Sequence, residues 1–564
     1  MHSKWVLRET PSKEQIDSMV QKTGASRLVA AVLCVRGFTA DEAKTFLAKD
    51  STSLFDPFLF PDMEKAVLRI KQAIAADEKI TVYGDYDADG ITASALLVSC
   101  LKSISANADF YIPERENEGY GMSKTAIDTI ANAGSTLIIS VDCGITAVEE
   151  CIYAKETGVD VIITDHHECG KQLPEAVAVI NPKVLACPYP DKNLAGVGVA
   201  LKLCQALLKD THSLEQVAQN YAEFVALGTI ADIAPLIGEN RVLCDMGLKK
   251  IPKSENAGFQ ALLAVSDLQN KTVDATKVGF QLAPKINAVG RLSDASLAVE
   301  MFLSDDLKKT QEIAINLAEC NVKRQKIEQE ILDEAEQMVE QFYKEDAVLV
   351  LCDEKWHHGV VGIVASRLTK KYNKPCILIS PGADGYYKGS GRSLEGFSLY
   401  DALCASSDTL VRFGGHELAA GIVIDCKKVD AFRESINVYA KEILGGKPLA
   451  PVIEADLELR GRHLNLETAN ALLSLEPFGA GNKPPVFTIN NMTVNRVSAL
   501  GANGQHLKMQ LIKDGFAIDA IAFSFADKVH LTYGSEVTVM ANLDINSFRG
   551  TESVQLKIID MKQR

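Results

Sequence analysis

The stretch "ITVYGDYDADGITA", Ile80 to Ala93, sets an apolar, β-branched run ahead of three aspartates, Asp85, Asp87 and Asp89, at every second position. It reads as a buried strand that ends in a cluster of like charges. Outward from it the same texture recurs: "DFYIP" (109–113), "STLIISVD" (135–142), "VDVIITDHH" (159–167) and "AVAVINP" (176–182) are short runs separated by helical stretches. That alternation predicts a largely parallel sheet with covering helices. An α/β domain is expected over about 59–240.

The chain has 564 residues, 47% hydrophobic and 6% aromatic, enough for three or four domains. No apolar run reaches membrane-spanning length, and "MHSKWVLRETPSKEQ" (1–15) lacks the apolar centre of a signal peptide, so a cytoplasmic protein is expected. The 13 cysteines include no CxxC pair, which argues against a zinc cage or a disulfide framework. A net charge of −15 argues against coating of nucleic acid by bulk electrostatics, so any polyanion must be met by local features.

Residues 1–58 read as helical and peripheral, and the Asp-Pro and Pro-Asp pairs of "SLFDPFLFPDMEKAVLRI" (53–70) punctuate the start of the next unit. Residues 241–345 read as a helical region. The charged stretch 304–346, which closes this region, repeats Ile313, Leu317, Cys320, Ile327, Ile331, Met338 and Phe342 on one face, a long connecting helix. A second α/β unit, 346–445, follows with "AVLVLCD", "GVVGIVASRLTKKY" and "KPCILIS". From 451 to 564 the pattern becomes alternating strands, with Asp514-Gly515 at a hairpin turn; a small barrel of the oligonucleotide-binding type fits, and a sandwich is the alternative.

Reactive groups in open parallel sheets gather at the carboxyl ends of strands. Asp85, Asp87 and Asp89 end one strand, Asp142 a second, and Asp165, His166 and His167 a third, while Asp232 follows a helix. Singly, such an aspartate is more often a turn or cap residue; three strands ending alike point elsewhere. Converging carboxylates repel unless cations sit among them. An oxygen-rich shell with one or two imidazoles suits Mn²⁺ or Mg²⁺ better than zinc. Two such ions about 4 Å apart activate water and stabilise an in-line displacement at phosphorus.

"DYDADG", "VDCG", "TDHH" and "GTIADIAPL" resemble, in order, the four motifs of the DHH phosphoesterases, and "GSGRS" with "FGGHELAAG" resembles their associated second domain. "LFDPFLFPDM", "NAVGR", "EPFGAGN" and the terminal barrel narrow the resemblance to the superfamily's single-strand-specific 5′ to 3′ exonucleases of DNA repair and recombination. The resemblance implies that Asp87, Asp89, Asp142, His166 and Asp232 hold two divalent cations, with Asp142 bridging. It implies that His167 contacts the scissile phosphate and that Asp165 orients the histidines. Where the pyrophosphatase branch has a metal-binding histidine, this chain has Tyr83, and Asp85 is the candidate substitute. The implied partners are single-stranded DNA with a 5′ end, a single-strand-binding protein and a helicase.

In the second α/β unit, Ser390, Arg392 and the glycine amides of "YKGSGRS" form a candidate cradle for a terminal phosphate, with Arg291 reaching the same cleft. His416 resembles the family's substrate-side histidine, with helix capping as the alternative. His357 and His358 read as the start of a helix under Trp356. The barrel region holds 11 Lys or Arg against 12 Asp or Glu, hence no general basic surface, and of Phe516, Phe523, Phe525 and Phe548 most are expected in the core. Two rival functions remain: a phosphodiesterase of short oligonucleotides or cyclic dinucleotides, which would share the metal motifs, and a non-catalytic replication scaffold, which would have lost ligands and which the intact motifs disfavour.

Overall fold

The computed structural model describes residues 3–563 apart from 116–117, 120, 383–384, 446–448, 450, 502, 527–528 and 549. The chain forms two compact units, one of Leu54–Ala234 with Met246–Ala450, the other of Met1–Ser53, Pro235–Asp245 and Pro451–Arg564. No helix among the described residues is long and apolar enough to cross a membrane.

In the larger unit each β-branched run becomes a strand: β1 (Lys79–Gly84), β2 (Ala108–Tyr111), β3 (Ser135–Val141), β4 (Asp160–Thr164) and β5 (Ala178–Ile180). All pair in parallel, in the order β2-β1-β3-β4-β5. The strand order reverses between β1 and β3, and at such a switch point the crevice outside the carboxyl ends of a doubly wound sheet opens. Helix α1 (Ala88–Ser103) follows β1 and is buried on nearly every side. It packs against α2 (Gly196–Leu207) and α3 (Leu214–Ala231), which explains why it is apolar around its whole circumference.

Further along come α4 (Ala283–Leu292) and the long helix α5 (Leu307–Met338). The 32 residues of α5 span about 48 Å, shorter than the charged stretch suggests because the last turn, Val339–Tyr343, is π-helical. That change of period turns Phe342 off the apolar stripe, leaving it 65% exposed while Ile313, Leu317 and Ile331 are buried. A second sheet follows, of β6 (Leu349–Cys352), β7 (Cys376–Pro381), β8 (Tyr387–Arg392), β9 (Arg412–Gly415) and β10 (Ala419–Ile424), in the order β9-β10-β8-β7-β6. Only β6 and β7 pair in parallel, and α6 (His358–Tyr372) connects them.

The smaller unit closes a barrel from β11 (Phe487–Leu500), β12 (His506–Lys513), β13 (Phe516–Ala522), β14 (Glu536–Phe548) and β15 (Thr551–Gln563), since β14 pairs with both β11 and β15. Asp514 and Gly515, at φ 50° and 84°, make the two-residue turn between β12 and β13. The first 53 residues are not peripheral. Val29, Val32 and Leu33 share one core with Phe487, Leu511 and Val539 of the barrel, and a strand at Lys4–Leu7 pairs with Val452–Ala455. An amphipathic helix alone does not reveal which distant surface covers its apolar face, and here that surface lies some 450 residues away in sequence.

Candidate metal centre and substrate wall

The ends of β1, β3 and β4 deliver the predicted cluster. Asp87 caps α1, its Oδ1 accepting from the amides of Asp89 and Gly90 at 2.9 and 3.1 Å. Asp89 lies one residue inside that helix, yet its carboxylate accepts from the amides of Gly196 and Val197 at 2.7 and 2.9 Å. It thereby caps α2, whose own N-cap residue, Ala195, has no side-chain acceptor. Asp142 ends β3 with φ 59°, a left-handed conformation that strains an aspartate and turns its side chain inward. Asp232 is the C-cap of α3.

These side chains fall into three overlapping groups whose ligand atoms lie within 4.8 Å of one another: Asp85 with Asp87 and Asp142, Asp142 with His166 and His167, and Asp89 with His166 and Asp232. His166 Nε2 stands 3.0 Å from Asp142 Oδ1 and 3.9 Å from both Asp89 Oδ2 and Asp232 Oδ2. Close packing holds this geometry. A Cβ on Gly196 would sit 2.6 Å from Asp142, and one on Gly228 would sit 2.7 Å from Asp89 Oδ1 and 2.4 Å from Thr92 Oγ1.

The electrostatics are those of a site that needs cations. Burial, then the charge of Asp87, pushes Asp85 up to about 8 and Asp232 up to about 7. Asp89 and Asp142 are held well above the usual carboxylate range by burial and then by neighbouring aspartates. Burial, reinforced by His167, pushes His166 down to about 3, so it is neutral, the form in which imidazole binds a metal. Asp142 Oδ1 and His166 Nε2 are both buried without a hydrogen-bond partner among the described residues. Two orphaned ligand atoms in a shell of desolvated carboxylates fit a divalent cation pair, and the oxygen-rich donor set fits Mn²⁺ or Mg²⁺.

His167 has the opposite environment. Burial disfavours its charge, but the hydrogen bond and charge of Asp165 outweigh that and hold it above the ordinary histidine value. Asp165 Oδ1 lies 2.7 Å from His167 Nδ1 and accepts from the amides of His166 and His167, while Oδ2 accepts from Ile145 N at 2.9 Å. Burial alone would raise Asp165; these bonds hold it low. Tyr83 is no ligand. It is fully buried, stacked on Tyr111 with ring centroids 5.5 Å apart, and its hydroxyl donates to Gly121 O at 2.9 Å, away from the cluster.

Arg291 lies at the seam with the second α/β domain. Its Nη1 donates to Gly359 O in the first turn of α6 at 2.7 Å, and burial, with Arg115 and Arg324 nearby, pushes it down to about 10. One turn along α6, a Cβ on Gly362 would come 2.8 Å from Ser390 Oγ and 3.5 Å from Arg392 Nη2, so only glycine leaves room for these two side chains. Arg392 Nη1 donates to Ser390 Oγ and Gly391 O at 3.1 and 2.7 Å. The glycines of "YKGSGRS" do not form the expected cradle. Gly389 and Gly391 lie in β8, paired on both sides, which commits their amides to the sheet, and they face Ile422 and Leu399 in the core.

His416 caps no helix: it occupies the exposed turn between β9 and β10, its amide donating to Ala419 O at 2.8 Å. His357 starts α6, Nδ1 accepting from Gly359 N at 3.1 Å, beside the buried Trp356. On the barrel, Phe525 is in the core, but Phe516 and Phe523 are 50% and 48% exposed, against expectation; the Phe548 side chain lies outside the described residues. Two residues went unnoticed in the sequence. Asn287 Oδ1 accepts from Ala88 N at 2.8 Å and fixes the start of α1, and it heads the "NAVGR" motif already marked for Arg291. Arg115 lies 5.0 Å from the ring centre of Tyr86, and nothing in its loop sequence signals it.

Family models match three segments: the DHH family N-terminal domain over 79–229, the DHHA1 domain over 345–442 and the RecJ OB domain over 455–560. The chain is 38% identical over 560 residues to the single-stranded-DNA-specific exonuclease RecJ of Bacillus subtilis (strain 168), covering 99% of this chain and 70% of that protein. Its structure resembles that of RecJ in complex with Mn²⁺ from Thermus thermophilus, with a TM-score of 0.85 at 30% identity, over 100% of this chain and 80% of that one. The Mg²⁺ complex from the same organism gives a TM-score of 0.80 at 28% identity, covering 100% and 78%.

Proposed function

The chain belongs to the RecJ family of single-stranded-DNA-specific exonucleases, and from that premise we propose that it hydrolyses phosphodiester bonds of single-stranded DNA from the 5′ end, using two divalent cations, Mn²⁺ or Mg²⁺. The observation that carries the reading is the cluster at the sheet's switch point, where Asp142 belongs both to a group with Asp85 and Asp87 and to one with the histidines. In this reading Asp85, Asp87, Asp89, Asp142, His166 and Asp232 would hold the ions, Asp142 standing in both of the groups it joins. The chemistry supplied when they are bound is activation of a water and neutralisation of charge on the phosphate.

The protein's own groups do the rest. His167, its Nδ1 tied to Asp165, is held above the ordinary histidine value and donates from Nε2 to an oxygen of the scissile phosphate. Arg291 and Arg115 supply positive charge along the seam, the local feature that a chain of net charge −15 requires to hold a polyanion. Ser390 and Arg392 hold a 5′-terminal phosphate, and that contact sets the polarity.

A helicase that frees a strand and a single-strand-binding protein that keeps it open are the proposed partners, with the cytoplasm as the compartment. The test is digestion of end-labelled single- and double-stranded DNA of both polarities with Mn²⁺, Mg²⁺ or EDTA. Mononucleotide release from 5′ ends of single strands, abolished by EDTA, is the expected result. Release from 3′ ends, or equal attack on duplexes, overturns the reading.

A further inference from the structure

The metal-ligand helix ends in an unusual way. Asp232 is the C-cap of α3, Ile233 N bonds Ile230 O at 3.2 Å, and Ala234 N bonds Thr229 O at 3.1 Å, a Schellman ending in which the next position is ordinarily glycine. Here that position is Ile233, at φ 61°, where a β-branched side chain is strained. Burial does not compensate the strain, because Ile233 is 74% exposed. A strained, exposed isoleucine next to a ligand of the reaction centre is unexplained by the fold alone.

A second exposed apolar side chain belongs to a segment that packs on the same helix. The segment Val278–Leu282 is π-helical and packs on α3, where a Cβ added to Gly279 would meet Ile230 Cγ2 in ordinary contact at 3.9 Å, one turn before Ile233. The next residue, Phe280, is 80% exposed. π-Turns within helices are frequent at functional sites, and this one leads directly into α4, which carries Asn287 and Arg291.

We propose that Ile233 and Phe280 form an apolar ledge beside the metal centre on which a nucleobase of the substrate strand rests. The inference rests on the single-strand exonuclease reading. A phosphate within reach of Asp232 brings its own nucleoside to the neighbouring residue, since consecutive Cα atoms are about 3.8 Å apart. In a single strand the bases are unpaired and their faces gain from an apolar surface, and stacking or packing of that kind is tolerant of sequence, as degradation of arbitrary strands requires. The strain at Ile233 is then maintained for contact with substrate, which a glycine at the same place would not make.

The test uses the full chain with Mn²⁺ and 5′-phosphorylated oligothymidylate, intact or carrying one abasic nucleotide at successive positions from the 5′ end. Ile233→Gly relieves the backbone and should melt at or above the temperature of the wild type, yet lose about fivefold or more in kcat/KM, chiefly through KM. Phe280→Ala should behave alike, and Phe280→Trp should recover most of the loss. At one position an abasic nucleotide should slow the wild type several-fold and the Ile233→Gly variant little. An Ile233→Gly enzyme with wild-type kinetics, or an abasic penalty equal in both proteins at every position, overturns the ledge. Failure of the wild type to degrade the intact strand overturns the exonuclease reading instead, so the two are distinguished.

Discussion

Asp142 Oδ1 and His166 Nε2 face each other across 3.0 Å, both buried and neither hydrogen-bonded among the described residues. A carboxylate kept well above its ordinary pKa beside a neutral imidazole is costly to the apo fold and is relieved by a cation. Asp142→Ala is therefore expected to abolish hydrolysis while its metal-free form melts at or above the wild-type temperature. Added Mn²⁺ should raise the melting temperature of the wild type and hardly that of the variant. Thermal scans with EDTA and Mn²⁺ check this, and near-normal turnover in the variant would sink the two-metal assignment.

Gly196 provides a test that leaves every ligand in place. Its missing Cβ makes room for Asp142, 2.6 Å from where that atom would stand, so Gly196→Ala must displace the Asp142 carboxylate. A displacement of that size at a reacting centre costs on the order of 100-fold in kcat. Gly170→Ala, whose added Cβ would have nothing closer than 3.6 Å, should keep its activity. Equal activity in the two variants would show that Asp142 has freedom to move.

The pair Tyr83 and Asp85 separates two accounts of the site's departure from the histidine-bearing pattern. Tyr83→Phe removes a hydroxyl that donates to Gly121 O, away from the cluster, so it should cost about 1 kcal/mol of stability and leave kcat nearly unchanged. Asp85→Asn should lower activity by about 100-fold and raise the Mn²⁺ concentration needed for half-maximal rate. Metal titrations of both variants decide the matter; an Asp85→Asn enzyme with unaltered metal dependence would remove Asp85 from the ligand set.

Arg392 is predicted to read the strand's end. Its loss should lower cleavage of 5′-phosphorylated strands by about tenfold or more, the equivalent of about 1.5 to 3 kcal/mol of charge-assisted hydrogen bonding, and that of 5′-hydroxyl strands much less. Arg392→Lys restores charge without the planar fork and should recover only part of the preference. The ratio of kcat/KM on matched strands is the measurement, and an unchanged ratio would leave the polarity to another group.

The barrel gives a further site to probe. Cutting the chain near Leu449 would bare Val29, Val32 and Leu33, whose core the barrel completes, so point changes are the cleaner instrument. If bases stack on the exposed Phe516 and Phe523, replacing either by alanine should weaken binding of long strands by about 1 to 3 kcal/mol while very short strands are cleaved at the wild-type rate. Equal effects on both lengths would assign these rings to the fold.

What the sequence by itself determined is local. The runs ending in Asp85, Asp142 and Asp165 announced parallel strands with titratable side chains at their carboxyl ends, because a buried parallel strand must be continuously apolar and a turn residue must follow it. Asp514-Gly515 announced its hairpin for an equally local reason, the left-handed backbone that such a turn demands. Tertiary structure decided whatever depends on which distant surfaces meet. It placed β1 beside β3, so that Asp87 and Asp142 share a crevice, and put Gly196 against Asp142 and the first helices into the barrel's core. It also turned Tyr83 toward Gly121, kept Gly389 and Gly391 inside a strand and left Ile233 strained in the open. Period and turn chemistry are written within a few residues of one another, whereas close approach through space is a property of packing, and packing is settled only when the whole chain has found its neighbours.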